Sequence, residues 1–410
     1  MNRKQLTIIL ILGVVVGGFG WYLNHRNAES WQGAGAQTGR KLLANFPLND
    51  VAQITIKQGQ SELTLAQKND LWTVRERYDY PANFTEIGDL LRKVWELKVV
   101  QSEMVGPSQL PRLELIAPGK GTNSGTLVEF KDKAGKTLKS MLLGKKHMRK
   151  SETPSPYGGE DGYPDGRYVL AADESKDVAI ISDPLTTLDP KPEPWLNKDF
   201  FKVEKLRSVS VTSTNAAGAW KVSRDTEIGE MKLADAKANE KLDTAKIGGV
   251  SSALSYPSFN DIVSPTAKPE ETGLNQPIVA TLDTFDEFHY TVKIGKANAA
   301  GDYPIQMSVT AEIPKQRTPG KDEKPADKEK LDKEFKDKND KLEQKLKQEK
   351  TYEKWAYLAS KWTIDPLLKE RKDLLAEEKK DEPKKDAAAP PSLSPLPSAL
   401  ENSGLKVPPK

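Results

Sequence analysis

Few side chains in this sequence could perform acid–base or metal chemistry, and they are scattered. There are three histidines, His25, His147 and His289, and no cysteine. A zinc site or a Ser–His–Asp triad needs several such side chains held together, and the spacing supplies no partners for these three. The sequence therefore predicts no catalytic residue, no cofactor-binding residue and no metal ligand, and the chain is not expected to be an enzyme.

Two loops contain residue types found in ligand-binding motifs, but in the wrong order. Residues 117–122 (APGKGT) lack the upstream glycine of a phosphate-binding loop, which favours a turn. Residues 158–166 (GGEDGYPDG) collect carboxylates without the ligand order of a helix–loop–helix calcium site. Asp283, Asp286 and Glu287 lie in a predicted hairpin connection, where a solvated turn is the ordinary interpretation.

The composition fits a multidomain protein and argues against nucleic-acid binding. The chain has 410 residues, which is enough for two or three domains. Its 62 lysines and arginines nearly balance 59 aspartates and glutamates, and a net charge of +3 creates no large field that would attract a polyanion. The lack of cysteine removes disulfides but does not identify the compartment.

The N-terminus predicts a membrane anchor. Residues 6–23 form an uncharged, largely apolar run after a basic pair, long enough to cross a bilayer core as a helix. Trp21 and Tyr22 close the run as interfacial residues, which favours a retained anchor over a cleaved signal peptide. We expect residues 1–26 to be a cytoplasmic stub and anchor in the cell inner membrane, followed by a linker at residues 27–45. The bulk of the chain is then periplasmic.

Apolar periodicity predicts an α+β fold after the linker. Three short strands between residues 51 and 74 alternate apolar and polar side chains and are separated by turn residues. Apolar residues then recur at helical spacing from Phe84 to Leu97, and strands resume afterwards. This order of strands, helix and strands predicts an antiparallel sheet with a packed helix, the first module, at residues 46–195.

The same order of landmarks begins again in the second half of the chain, at residues 196–375. Such internal self-similarity predicts a duplication. We therefore expect two divergent α+β modules of antiparallel strands, each with a packed helix. The matched landmarks are residues 46–56 with 201–211, Trp72 with Trp220, Ile87 with Ile247, Val94 with Leu254, 141–145 with 292–296, and 182–185 with 364–367.

A charged insertion separates two strands of the second module at residues 314–352. Acid-to-base spacings of four residues support an exposed helix with one narrow apolar stripe. The stripe predicts either a helix laid on its own module or half of a coiled-coil contact with a partner. Because so narrow a stripe buries little area, deletion of residues 321–350 is expected to leave folding intact. The stripe consists of Leu331, Phe335, Leu342 and Leu346.

The end of the sequence has low complexity. Residues 376–410 are first charged and then, from Ala387, rich in proline, serine and alanine. A segment of this composition cannot bury a core, so a disordered tail is predicted.

Five short motifs stand out along the two modules: Val51 to Ile56, Trp72, Pro81-Ala82 with Ile87, Gly273 to Pro277, and Ile294-Gly295-Lys296. With these motifs the chain resembles a bacterial family known as domain of unknown function 4340. The similarity covers roughly residues 43–375, and its motifs are structural rather than catalytic. The first module departs from the family pattern at residues 113–118 (LELIAP), where the family has Gly-Leu-x-x-Pro. The resemblance implies a membrane anchor, repeated units and an association with ABC-type transport systems, and no reaction.

These features predict a non-enzymatic scaffold or accessory protein of the bacterial envelope. The expected partners are the membrane and an envelope protein, with no cofactor and no nucleic acid. The alternative is a carbohydrate- or peptidoglycan-directed binder or hydrolase, because carboxylates from distant segments leave no local motif. An acidic cleft between the modules would favour the alternative, and modules without a deep polar pocket would favour the scaffold. The sequence does not fix the oligomeric state.

Overall fold

The fold is α+β and is built on two antiparallel sheets. A computed structural model describes residues 38–149, 163–171, 177–212, 218–238, 240–320 and 323–376. The predicted anchor and nearly all of the predicted tail lie outside these ranges. Within them, no helix is both long enough and apolar enough to cross a bilayer.

The first sheet has nine strands, in the order β4-β3-β2-β1-β6-β7-β8-β9-β5. We call this sheet with helix α1 the first module. Helix α1 packs its apolar face on the sheet and leaves its polar face to solvent. The elements are β1 (Gln53–Gln58), β2 (Ser61–Lys68), β3 (Leu71–Val74), β4 (Tyr80–Pro81), α1 (Phe84–Glu96), β5 (Val99–Glu103), β6 (Thr126–Lys131), β7 (Thr137–Arg149), β8 (Tyr163–Ala171) and β9 (Val178–Ile181).

The second sheet has eight strands, in the order β12-β11-β10-β14-β15-β16-β17-β13. We call this sheet with its helices the second module. Helix α4 is the predicted charged insertion and lies between β16 and β17. The elements are β10 (Leu206–Thr212), β11 (Trp220–Ser223), β12 (Lys232–Leu233), α2 (Thr244–Ser251), β13 (Asp261–Ile262), α3 (Pro269–Thr272), β14 (Ile278–Thr284), β15 (Phe288–Ile294), β16 (Tyr303–Ala311), α4 (Pro325–Glu349), β17 (Tyr357–Ala359) and α5 (Lys361–Leu368).

The two sheets share one strand order over six positions. The run β1-β6-β7-β8-β9-β5 of the first sheet corresponds to β10-β14-β15-β16-β17-β13 of the second. In both sheets the strand that follows the packed helix crosses to the far edge and pairs with the last strand of the module. This crossing is a specific feature of connectivity, and its presence in both sheets is what an internal duplication produces.

The start of the packed helix is also the same in both modules. Asn83 and Asp243 each cap the helix by accepting hydrogen bonds from two backbone N–H groups of its first turn. Ile87 and Ile247 lie four residues after these caps, and both side chains are buried. The two isoleucines therefore occupy equivalent positions, as the landmark order predicts.

The match of Trp72 with Trp220 is wrong in terms of strand order. Trp72 lies in β3, which β2 separates from β1. Trp220 lies in β11, which pairs directly with β10. The second module has less chain between its first strand and its tryptophan, and its described residues place no strand between β10 and β11. Trp220 therefore lies one strand closer to the first strand of its module than Trp72 does. Both tryptophans remain buried.

A crossing segment passes over the sheet in each module before β6 or β14. It turns at Glu114 in the first module, with φ 57°, and at Gly273 in the second, with φ 72°. The first module thus has the same backbone conformation at this turn although its sequence departs from the family pattern. Glu114 adopts the left-handed region, which glycine adopts at a lower cost in free energy. Beneath each crossing lies a glycine, Gly144 or Gly295, where a Cβ would overlap a backbone carbonyl oxygen of the segment. Glycine allows the backbones to approach this closely.

Helix α4 lies on its own module. Leu342 and Leu346 pack against the hydrophobic core, and Leu331 and Phe335 are half-buried on the same side of the helix. Of the two readings of the apolar stripe, the structure shows the helix laid on the second module. Its last residue, Glu349, is buried.

Glu349 connects α4 to the second sheet by hydrogen bonds. Its carboxylate accepts the backbone N–H of Lys202 at 3.0 Å and the hydroxyl of Tyr290 at 2.7 Å. Lys345 lies 3.9 Å away. Burial raises the pKa of Glu349 and outweighs the opposing effect of these three groups. Folding therefore makes protonation of Glu349 easier than it is in the unfolded chain.

We expect Glu349→Gln to be at least as stable as the parent at pH 8, and Glu349→Ala to lose about 1–3 kcal/mol. Glutamine carries no buried charge and keeps one acceptor oxygen for the backbone N–H of Lys202. Its amide N–H₂ can donate to the hydroxyl of Tyr290, which itself can donate to the carbonyl oxygen of Lys202. Alanine leaves both groups without the partner on α4. Because the folded-state pKa of Glu349 is raised, its contribution to stability is complete at low pH and is lost as the pH rises through that pKa. Urea unfolding at pH 5 and pH 8 should show a smaller pH dependence for Glu349→Gln. An unchanged dependence would contradict the assignment.

Candidate functional site

The two modules meet at a joint made of aromatic side chains. Tyr80 of β4 contacts Phe259, just before β13, with ring centroids 5.9 Å apart. It also lies 5.1 Å from Trp355 and 6.2 Å from Tyr357 of β17. Tyr80, Phe259 and Tyr357 are buried, and one hydrophobic cluster runs through both sheets. Edge β4 of the first sheet thus packs against edge β13 of the second.

An arginine reinforces this joint. Arg77, from the turn before β4, donates to both carboxylate oxygens of Asp261 in β13, at 2.5 and 2.7 Å, and to Glu193 at 2.7 Å. Burial alone would lower the pKa of Arg77, but the hydrogen bonds and charges of Asp261 and Glu193 outweigh it and raise the pKa. A bidentate pair of this kind fixes direction as well as distance. The modules are therefore held in one relative orientation.

A cleft of about 730 Å³, the joint cleft, opens beside this contact. Strands β3 and β4 and the start of α1 line one side, and residues 197–199, which lead into the second module, line the other. Leu71 and Phe84 expose 65% and 70% of their surfaces at its rim. The Nζ of Lys198 donates to the carbonyl oxygens of Phe259 and Asn260, which directs this charge toward the joint.

Three carboxylates line the joint cleft and make its rim acidic. They belong to Asp70, Glu86 and Asp199, and all three residues are exposed. Exposed apolar and acidic side chains side by side suit a ligand that is both apolar and basic. No sequence motif predicts the joint cleft, because the residues on its two sides are more than one hundred positions apart in the chain.

The second module has a cleft at the corresponding place. It measures about 490 Å³ and is lined by β12 and the start of α2, with Leu242 and Thr244 where the first module has Ala82 and Phe84. Glu240, one of its lining residues, accepts a hydrogen bond from Arg371 at 2.7 Å. The second module therefore has a smaller cleft at the corresponding place, without an exposed phenylalanine.

The histidines that could do chemistry form separate pairs. His147 Nδ1 lies 2.6 Å from Asp165 on the first sheet, and His289 Nδ1 lies 2.8 Å from Asp283 on the second. Ser208 donates to the same Asp283 at 2.7 Å. The serine bonds to the aspartate and not to the histidine, so this is not the order of a catalytic triad.

The remaining candidates from the sequence are engaged in the fold or lie outside the described ranges. His25 and residues 158–162 belong to the undescribed parts. In the described parts, no group of three or more histidines, aspartates or glutamates is placed to hold a metal ion. Residues 117–122 form a turn closed by a backbone hydrogen bond, and Asp286 and Glu287 make ion pairs with neighbouring lysines and an arginine.

A match to a family model shows which protein family this chain belongs to. Residues 72–277, from the tryptophan of β3 to the start of β14, match the model described as domain of unknown function (DUF4340). The chain belongs to the DUF4340 family. The matched region includes Arg77 and Asp261, so both sides of the joint lie within it. No curated protein and no solved structure matches this DUF4340 chain. Membership supports the fold and assigns no reaction.

Proposed function

We propose that this DUF4340 protein is a non-catalytic scaffold of the bacterial cell envelope that holds a protein partner in the joint cleft. In this proposal residues 6–23 anchor two duplicated modules in the inner membrane, and the modules lie in the periplasm as an accessory to a transport system. The observation that carries the proposal is the joint. Two similar modules packed and ion-paired in one orientation form a rigid support, and the exposed apolar rim lies where they meet.

The chemistry of the rim indicates the kind of partner. Leu71 and Phe84 offer apolar surface to a contact, and large exposed aromatic groups next to a cleft often act as binding anchors. Asp70, Glu86 and Asp199 surround them with negative charge. A protein segment with apolar and basic side chains matches both features.

One labelling experiment tests both the periplasmic localisation and the occupancy of the joint cleft. The chain has no cysteine, so Thr85→Cys in the cleft and Ile228→Cys, which is 98% exposed elsewhere, can each be labelled at a single position. A membrane-impermeant maleimide should label both variants in spheroplasts. Thr85→Cys should react about tenfold more slowly there than in the purified chain, because the partner occupies most of the sites. Ile228→Cys should react equally in both.

The two parts of the proposal fail separately. If Ile228→Cys is labelled only after the membrane is opened, the proposed periplasmic localisation is wrong. If Thr85→Cys is as reactive in spheroplasts as in the purified chain, the joint cleft has no partner in the cell.

The acidic rim also favours a second candidate, a carbohydrate- or peptidoglycan-directed binder or hydrolase. Glycan-cleaving sites use pairs of carboxylates, and the joint cleft places Asp70, Glu86 and Asp199 around one opening. The same probe separates the candidates. Soluble peptidoglycan fragments that protect Thr85→Cys in the purified chain would support the second candidate over the scaffold.

A further inference from the structure

A groove of about 490 Å³ with two exposed aromatic rings lies on the second module, away from the joint cleft. We call it the aromatic groove; it lies between the end of α2 and helix α5. Tyr256 on one side is 80% exposed, and Trp362 on the other is 78% exposed. Exposed aromatic side chains that flank one groove are typical of a binding surface.

The lining of the aromatic groove favours one class of ligand. It combines Tyr256 and Trp362 with Pro257 and Pro366, and its polar groups are backbone atoms and the hydroxyls of serine, threonine and Tyr256. It contains no charged or amide side chain of the kind that pairs with sugar hydroxyls. Grooves lined by aromatic and proline side chains, with few hydrogen-bonding groups, are typical of domains that bind polyproline II segments.

The chain itself contains a proline-rich segment. Residues 387–400, AAAPPSLSPLPSAL, include four prolines and no charged residue, whereas residues 377–386 before them are mostly charged. An uncharged, proline-rich segment matches an uncharged groove.

The position of Ala376 allows this segment to reach the groove. The N–H of Ala376 donates to the carbonyl oxygen of Lys241, just before α2 begins. The aromatic groove lies at the other end of α2, and a helix of eight residues is about 12 Å long. Residues 377–386 can span up to about 33 Å when extended. We infer that residues 387–400 of the same chain dock in the aromatic groove.

Disulfide trapping in the full chain tests this docking. Ser252 is an exposed lining residue and Ser394 lies between the prolines, so Ser252→Cys/Ser394→Cys places two thiols in an otherwise cysteine-free chain. Under mild oxidation, the intramolecular disulfide should form at least about tenfold faster than in the control Ser252→Cys/Ser403→Cys, since docking raises the local concentration above that of a tethered chain end. Adding Trp362→Ala, which removes an exposed ring, should abolish the difference.

Each other outcome would overturn the inference. Equal rates in the two double variants, or a difference that survives Trp362→Ala, would show that the segment is merely tethered. Disulfides formed mainly between chains would assign the groove to a second copy. A chitin oligosaccharide that blocks trapping, where a peptide of residues 387–400 does not, would assign the groove to glycans.

Discussion

Gly295→Ala should destabilise the protein by about 3 kcal/mol or more, one of the largest effects expected of a single substitution in it. A Cβ at this position would overlap the carbonyl oxygen of Thr272. That oxygen cannot move away easily, because it accepts the backbone N–H of Lys296 at 2.9 Å. Gly144→Ala should have a similar effect in the first module, where the Cβ would overlap the carbonyl oxygen of Leu113.

Thermal and urea unfolding would measure these losses, with Gly88→Ala as the matched control. Gly88 lies on the exposed side of α1, and a Cβ there meets nothing within 4 Å. The control should therefore be stabilised by about 0.5–1 kcal/mol, the usual gain when alanine replaces glycine within a helix. If Gly295→Ala unfolds at the parent's midpoint, the crossing segment does not pack on the sheet as described.

Deletion of residues 321–350 should cost about 4 kcal/mol, or roughly 10 °C in Tm. The sequence predicts that this segment is dispensable for folding, because its narrow apolar stripe would bury little area. The structure contradicts that reasoning at the C-terminal end of α4, where Leu342, Leu346 and Glu349 pack on the second sheet. The deletion removes these side chains and leaves Tyr290 without its carboxylate partner.

Two double variants separate the ends of the helix. Leu342→Ala/Leu346→Ala should cost about 2 kcal/mol, because both side chains contact the hydrophobic core. Leu331→Ala/Phe335→Ala should cost less than about 1 kcal/mol, since these side chains are half-buried as well but are not among those packed against the hydrophobic core. A deletion protein with the parent's Tm would restore the original prediction that the whole helix is dispensable.

Local patterns predict the elements of this fold better than their arrangement. Period-two alternation identifies β1, β2 and β3, and apolar spacing identifies α1, because each pattern reports which side of one element faces the core. The crossing of β5 and β13 to the far edge of their sheets depends on pairing between distant strands, which no local window contains. Trp72 and Trp220 illustrate the limit, because similar residues in similar order lie in different strands.

The candidate site depends still more on long-range contacts. Arg77 and Asp261 are 184 residues apart in the chain, and each looks like an ordinary surface charge in the sequence. Glu349 likewise cannot be distinguished from the other acidic residues of α4 by its neighbours alone. The sequence identifies which side chains could do chemistry, namely the histidines and carboxylates. Their hydrogen-bond and ion-pair partners are known only from the fold.

The contact between β4 and β13 gives the two-module body a direction. Opposite edges of the two similar sheets meet, so the modules are arranged head to tail. A head-to-tail relation could be repeated in the same direction, whereas a twofold axis would bring the same edge of each sheet together. The ends of the body are consequently unlike, with β5 at one and β12 at the other. A ligand that engages both modules would need unlike halves or a repeat of its own running in the same sense, and a twofold-symmetric dimer would fit only one module at a time.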